Sequence, residues 1–379
     1  MVYLDNAATT PVSATAISAM TEVLEDIYGN PSSSHSTGRK AKILVESTRK
    51  LIAQKLNCQP GEIFFTAGGS EADNMAILNS VRDLGIRRII TSPIEHHAVL
   101  HPIKFLEDQS GVEVNYVKVN KGGEIDLEDL SQLLDNEKLT LVSLMYANNE
   151  IGNLLPIQEV AEMCIEKKAF FHSDMVQAFG HYPIDLAQLP IHFLASSAHK
   201  YHGPKGVGFC FIRGGIGVKP LLHGGGQERN LRAGTENVHS IAGMQAAIEE
   251  AYSNLESDRA HIESLKKHLI QKIESYPFPI GFNGLSFDLE RSLYTVLNLS
   301  LPKNPNTEMI LFQLDMEGFA VSGGSACNSG AVKGSHVIDV LRGENEQVAL
   351  RVSFSKNNTI QEVDEFAEAL FAILSKDAA

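Results

Sequence analysis

Ala169-Phe170-Phe171-His172-Ser173-Asp174 and His192-Phe193-Leu194-Ala195-Ser196-Ser197-Ala198-His199-Lys200 carry one pattern twice: a short apolar run, then a cluster of polar residues. Continuous apolar runs of this length, bounded by polar turns, mark strands buried on both faces. Toward the N-terminus the pattern recurs at Leu141-Val142-Ser143-Leu144-Met145, Val114-Asn115-Tyr116-Val117, Arg88-Ile89-Ile90-Thr91 and Glu62-Ile63-Phe64-Phe65-Thr66. Amphipathic segments separate the runs; Ile157, Val160, Ala161, Cys164 and Ile165, for example, fall at helical spacing. Strands alternating with helices predict parallel pairing through crossover helices, hence an α/β sheet covered on both faces. Toward the C-terminus, Gly206-Val207-Gly208-Phe209-Cys210-Phe211-Ile212 predicts an added, antiparallel strand.

Past about residue 255 the pattern changes. Ile262, Leu265, Leu269, Ile270 and Ile273 predict a long amphipathic helix over 256–275. A strand at Thr295-Val296-Leu297-Asn298-Leu299, a helix near 306–317 and strands at 319–321 and 349–354 follow. The last helix starts at Thr359, with Glu362 three residues on in a capping-box pattern. The expected architecture is a large domain over 15–255, with a mostly parallel sheet sandwiched by helices, and a small α+β domain from 1–14 and 256–379.

The chain has 379 residues, 43% of them hydrophobic and 21% charged, which is the profile of a folded globular protein. Lys and Arg number 32 against 46 Asp and Glu, a net charge of −14 that argues against nucleic acid or an anionic membrane as main partner. No secretory signal and no apolar run of about 18 residues is expected, so the plain reading is a cytoplasmic protein with no membrane partner. The cysteines Cys58, Cys164, Cys210 and Cys327 lack CxxC spacing, which argues against a zinc ribbon and predicts no metal site.

Ligands of open parallel sheets bind beyond the carboxyl ends of the strands. Those ends deliver Gly68-Gly69-Ser70, Glu95-His96-His97, Asn148-Asn149-Glu150, Asp174 with Gln177, and Ser197 with His199-Lys200. Each alone reads as an ordinary polar strand end; five in succession at one edge read as a site. Gly68-Gly69-Ser70 before a helical pattern makes an anion cradle, or simply a tight turn with a capping serine. A phosphate cradle, an acid for a pyridinium nitrogen, an aromatic ring to stack and a lysine for a Schiff base are together the needs of pyridoxal 5'-phosphate (PLP). No GxGxxG follows the first strand of this series and no GxxxxGK[ST] occurs, which weakens dinucleotide and nucleoside-triphosphate readings.

Longer motifs run nearly end to end: Tyr3-Leu4-Asp5-Asn6-Ala7-Ala8-Thr9-Thr10-Pro11, Gly29-Asn30-Pro31-Ser32-Ser33, Asn148-Asn149-Glu150-Ile151-Gly152, His199-Lys200 through Gly203-Pro204-Lys205-Gly206, His223-Gly224-Gly225-Gly226-Gln227-Glu228-Arg229, Arg232-Ala233-Gly234-Thr235 and Ser322-Gly323-Gly324-Ser325-Ala326-Cys327. In these the chain resembles the cysteine desulfurases of the NifS/IscS type, within the class V aminotransferases of PLP fold type I. The resemblance implies that Lys200 forms the Schiff base and moves the substrate α-proton, Asp174 faces the pyridine nitrogen, Gln177 bonds the phenolic oxygen and His96 stacks on the ring as a proton donor or acceptor. It implies that Gly69, Ser70, Ser197 and His199 hold the phosphate. Asn149 would lie near the cofactor oxygen and substrate carboxylate, Arg351 would grip that carboxylate, and Thr235 would reach the cofactor of the other subunit of a homodimer. Ser70 stands where threonine is common and Gly69 replaces the usual alanine; the region 331–347 is less typical.

Cys58, Cys164 and Cys210 sit in or beside apolar elements, where cysteine acts as a small hydrophobe. Cys327 lies among small residues with no core pattern, which predicts an exposed loop at about 322–335. The implied reaction is removal of sulfur from L-cysteine, giving L-alanine and a persulfide on Cys327, with transfer to an iron–sulfur scaffold or a tRNA-thiolation enzyme. A selenocysteine lyase, another class V PLP aminotransferase and a non-catalytic PLP-binding protein are the alternatives.

Overall fold

The computed structural model describes residues 1–135, 137–323, 334–342 and 347–375. Cys327, and with it most of the expected cysteine loop, lies outside the described residues.

The strands in chain order are β1 (Val2–Tyr3), β2 (Ile63–Thr66), β3 (Arg88–Thr91), β4 (Glu113–Tyr116), β5 (Thr140–Ser143), β6 (Phe170–Asp174), β7 (Phe193–Ser197), β8 (Gly208–Ile212), β9 (Gly281–Phe282), β10 (Val296–Pro302), β11 (Phe319–Ala320) and β12 (Gln347–Ser353). Seven form the main sheet in the order β2-β8-β7-β6-β5-β3-β4. The pairs β7–β6, β6–β5, β5–β3 and β3–β4 are parallel, and β8 is antiparallel to both β2 and β7. The expected added strand is therefore antiparallel, and it is inserted between β2 and β7. Because β8 reverses against both, β2 and β7 run the same way, and β2, β3, β5, β6 and β7 all end at one edge.

Every residue of β2, β3, β5, β7 and β8 is buried. Neighbouring residues serve opposite faces, as the twofold period of a strand dictates. Phe64, Leu141, Phe193 and Cys210 join one apolar cluster, with residues of the helices Gly69–Leu84 and His97–Ser110. Phe65, Val142, Leu194 and Phe211 join the other, with residues of the helices Ser36–Leu56, Ile157–Glu166 and Val238–Ser253. Each such side chain taken fully from water contributes roughly 2 kcal/mol, so the sheet is a rigid floor for whatever its C-terminal edge carries.

The rest of the chain builds a second, smaller sheet, β12-β10-β9, all antiparallel, with Asn298 of β10 opposite Arg351 of β12. The helices Leu255–Ser275 and Ile360–Ser375 belong to this part, and the Tyr276 ring stacks on Phe371 at 3.8 Å. The N-terminus returns here: β1 pairs with β11, and Asp5 bridges Ser353. The helix expected near 306–317 is two helices, Pro305–Glu308 and Ile310–Met316. Asn304 caps the first and Pro305 opens it; the break at Met309 leaves Ile310 and Leu314 inward while Met309 and Phe312 stay exposed. No helix among the described residues is long and apolar enough to cross a membrane.

Candidate active site

A cavity of about 540 Å³ opens at the C-terminal edge of the main sheet. The ends of β2, β6 and β7 and the loops after β3 and β5 supply its walls, together with the N-terminal segment and β12.

The cradle forms where β2 gives way to the helix Gly69–Leu84, capped by Gly68. Gly68 has φ +149°, a conformation that L side chains rarely adopt, and a Cβ there would sit 3.5 Å from Ser197 Oγ. Gly208 of β8 passes so close that its Cβ would lie 2.9 Å from Gly68 Cα and 2.3 Å from the Ser196 carbonyl oxygen. Two glycines thus bring the helix N-terminus, with its unpaired N–H groups and positive dipole end, against the end of β7. Ser70 is not the cap; it is the second residue of the helix, in its first turn, exposed, and lines the cavity with Gly69, Ser197 and His199.

Asp174, the last residue of β6, is buried, and its Oδ1 accepts the Val176 N–H at 2.9 Å. Burial raises its pKa to about 6 against the lowering pull of that hydrogen bond and of Lys200. Lys200 follows β7, and its Nζ donates to the carbonyl oxygens of Ala7 at 2.6 Å and Ala8 at 2.9 Å. Gln177 Nε2 donates to the same Ala7 oxygen at 3.0 Å. His199 Nδ1 lies 3.1 Å from Thr9 Oγ1. The segment Ala7–Thr9 therefore anchors three cavity side chains that come from the segments just after β6 and β7.

His96 caps the helix His97–Ser110, its Nδ1 accepting the Ala98 N–H at 3.1 Å. That bond leaves the proton of the neutral ring on Nε2. Burial, helped by the charge of Lys200, lowers the His96 pKa to about 4, so near neutral pH the ring offers the cavity a flat face and an N–H donor. Arg351, 1% exposed, reaches in from β12; Nη1 donates to the Asn149 carbonyl at 2.9 Å and Nη2 to Asp5 Oδ1 at 2.8 Å.

Of the residues named from the sequence, Gly69, Ser70, His96, Asn149, Asp174, Gln177, Ser197, His199, Lys200 and Arg351 line this one cavity. Thr235 does not; it is exposed on the same chain. Its segment is pinned beside the cradle by two ion pairs. Arg49, itself buried, holds Glu228 through Nη1 and Nη2 at 2.9 and 2.8 Å, and Arg232 holds Glu71 at 2.9 Å. Glu228, Arg229 and Asn230 follow one another with φ of 46°, 56° and 66°. Three successive non-glycine residues in the left-handed region are a costly arrangement that persists only where the surroundings enforce it.

Some participants are not evident from residue type alone. Glu95, buried beneath the site, accepts the Met145 N–H, and burial raises its pKa to about 8. His336 donates from Nε2 to the Glu95 carbonyl at 2.9 Å and packs on His97 with ring centres 4.5 Å apart. Among the described residues no group of three or more His, Cys, Asp or Glu side chains is placed to hold a metal. Burial pushes the thiol pKa values of Cys58 and Cys164 up to about 12, and that of Cys210 higher, which leaves these three poor nucleophiles.

The sequence model of the aminotransferase class-V family matches residues 2–366. The chain belongs to that family. Among its relatives, a cysteine desulfurase IscS of Clostridium botulinum is 40% identical over 99% of this chain and 94% of that one. A protein of the same name from Methanosarcina thermophila is 40% identical over 99% of this chain and 92% of its own. A solved structure titled NifS-like protein superposes with a TM-score of 0.90 at 37% identity, covering 99% of both chains. This class-V aminotransferase therefore shares its whole architecture, and not a single domain, with the proteins it resembles.

Proposed function

We propose that the chain is a PLP-dependent cysteine desulfurase that converts L-cysteine to L-alanine and takes the sulfur as a persulfide on Cys327. One observation carries the reading: a single cavity gathers a buried carboxylate, a lysine ammonium, a stacking-competent imidazole, a glycine cradle and a buried arginine. The likeness along the full length to relatives named cysteine desulfurase supports it.

The donor set fits PLP. Gly69, Ser70, Ser197 and His199 surround a place for the phosphate, and the gap opposite Ser197 that a Cβ on Gly68 would fill is kept clear. Asp174 is an acid raised by burial, which a pyridinium partner would return to its ionised form. Gln177 is within the same cavity for the phenolic oxygen, and His96 presents its ring. When bound, PLP supplies an electron sink for the substrate's Cα.

The chain's own residues do the rest. Arg351 orients the substrate carboxylate, with Asn149 beside it. Lys200 Nζ accepts the Cα proton and returns it; the carbonyls of Ala7 and Ala8 hold the ammonium while it carries that proton. His96 donates from Nε2, and its pKa near 4 makes the neutral ring too weak a base to compete with Lys200 for the proton. The Cys327 thiolate attacks the substrate sulfur; its electron pair makes the S–S bond while the C–S pair stays with carbon, and protonation of that carbon gives alanine.

The test is alanine release from L-cysteine with a reductant, followed by mass spectrometry of the protein treated with cysteine alone. Cys327→Ala is expected to bind PLP and cysteine but release no alanine, and the wild type to carry added sulfur on the peptide containing Cys327. Near-normal alanine production by Cys327→Ala, or sulfur found only on Cys58, Cys164 or Cys210, would reject the reading. The sulfur then passes to an acceptor protein, an iron–sulfur scaffold or a tRNA-thiolation enzyme.

A further inference from the structure

Arg351 already has an anion. Its guanidinium, which lines the cavity, is 1% exposed, while the Asp5 side chain paired with it is 19% exposed. Nη2 is bonded to Asp5, Nη1 to the Asn149 carbonyl, and Nε is buried with no hydrogen-bond partner among the described residues. A guanidinium has five N–H donors in a rigid fork, so these two bonds leave others for a second anion. The Asp5 backbone is held in place beside Arg351. It bridges Ser353, two residues beyond Arg351 on β12; the Tyr3 hydroxyl donates to the Asp5 carbonyl at 3.1 Å, and the Ala7 N–H to Ser353 Oγ at 2.9 Å. Glu150, the other acid that feels the Arg351 charge, is buried, bonded to Ser335, and pushed by burial toward its neutral form. Asp5 is thus the standing counter-ion. A carboxylate arriving at the same guanidinium comes near the carboxylate of Asp5, which is held there by its bond to Nη2 and is only partly exposed, so the two repel more strongly than they would in open water.

We propose that Asp5 is a built-in competitor for Arg351, a positioning residue that compensates the guanidinium in the empty site and weakens the hold on an amino-acid carboxylate. This rests on the reading that Arg351 receives that carboxylate. The consequence is a site that orients its amino acid without trapping the product, which carries the same carboxylate as the substrate.

The experiment is calorimetric titration of the PLP-loaded protein with L-alanine and with cysteamine, which has the amine and thiol but no carboxylate. Asp5→Asn keeps an oxygen for Nη2 and removes the charge. Its affinity for L-alanine is expected to rise about tenfold, a modest share of the repulsion between two close carboxylates, with cysteamine affinity unchanged. Asp5→Ser, a smaller acceptor, should shift the same way, and Asp5→Glu, which restores the charge, should bind L-alanine like the wild type. A structural role alone would weaken binding in all three variants. Unchanged or weaker L-alanine binding in Asp5→Asn and Asp5→Ser, or an equal gain for cysteamine, overturns the proposal. A wild type that releases alanine from cysteine while the variants fail this pattern leaves the desulfurase reading standing; a wild type that releases none, with variants that fail the pattern, overturns both.

Discussion

Asp174→Asn should make the cofactor-free protein more stable at neutral pH. The carboxyl is 6% exposed and titrates near 6 in the fold against 3.8 ordinarily. Between those values the folded chain binds more protons than the unfolded one, so wild-type stability falls as pH rises through that window. Above it the full cost of holding the buried carboxylate ionised is about 3 kcal/mol; at pH 5 about half of that remains. Asparagine keeps an oxygen for the Val176 N–H, so the substitution removes charge and little else. Unfolding entropy for 379 residues is about 0.8 kcal/mol/K, which turns 3 kcal/mol into a rise in Tm of about 4 °C. The assay is thermal unfolding of apo wild type and apo Asp174→Asn at pH 7.5 and pH 5. The gain should shrink on acidification, and added PLP should raise the wild-type Tm more than that of the variant. A variant no more stable than wild type at pH 7.5, or a difference that does not shrink, would refute the argument that burial outweighs Lys200 and the Val176 N–H in setting this carboxyl's pKa.

Three further outcomes are expected. Lys200→Ala should fold, since it sits beyond a strand end, yet retain no PLP after borohydride treatment; stable attachment through Lys205 would overturn the assignment. Gly208→Ala should lower the Tm and weaken PLP retention, because its Cβ would meet backbone at 2.3 Å; an unchanged Tm would show that the strand and cradle can separate at little cost. A heterodimer of one Lys200→Ala subunit and one Thr235→Ala subunit should contain one intact site and one carrying both defects, and so keep half of wild-type activity, if Thr235 serves the partner's cavity; two separately damaged sites would place its action within its own subunit.

Much of this protein is written locally. The short buried strands, the crossover helices and the polar clusters at the strand ends depend on residues near one another in sequence, and hydrophobic period and turn chemistry act at that range. That is why ten of the residues named from motifs line a single cavity, and why Asp174, Gln177 and Lys200 were legible before any coordinates. The break at Met309 was not, because Thr307, Ile310 and Leu314 keep helical spacing across it and fit one continuous helix as well as two short ones.

What only the tertiary structure decided is which distant groups share a charge or a proton. The insertion of β8 between β2 and β7 brings Gly208 onto Gly68 and so shapes the cradle. The return of the N-terminus to β12 sets Asp5 on Arg351 across 346 positions of sequence, and the carbonyls of Ala7 and Ala8 on Lys200 across 193 and 192. The tautomer of His96 is set locally by the Ala98 N–H, but its lowered pKa comes from burial and from Lys200, far along the chain. Residue identity determines what a side chain is able to do; its protonation state and standing partner depend on desolvation and through-space charge, and those exist only once the chain has closed on itself.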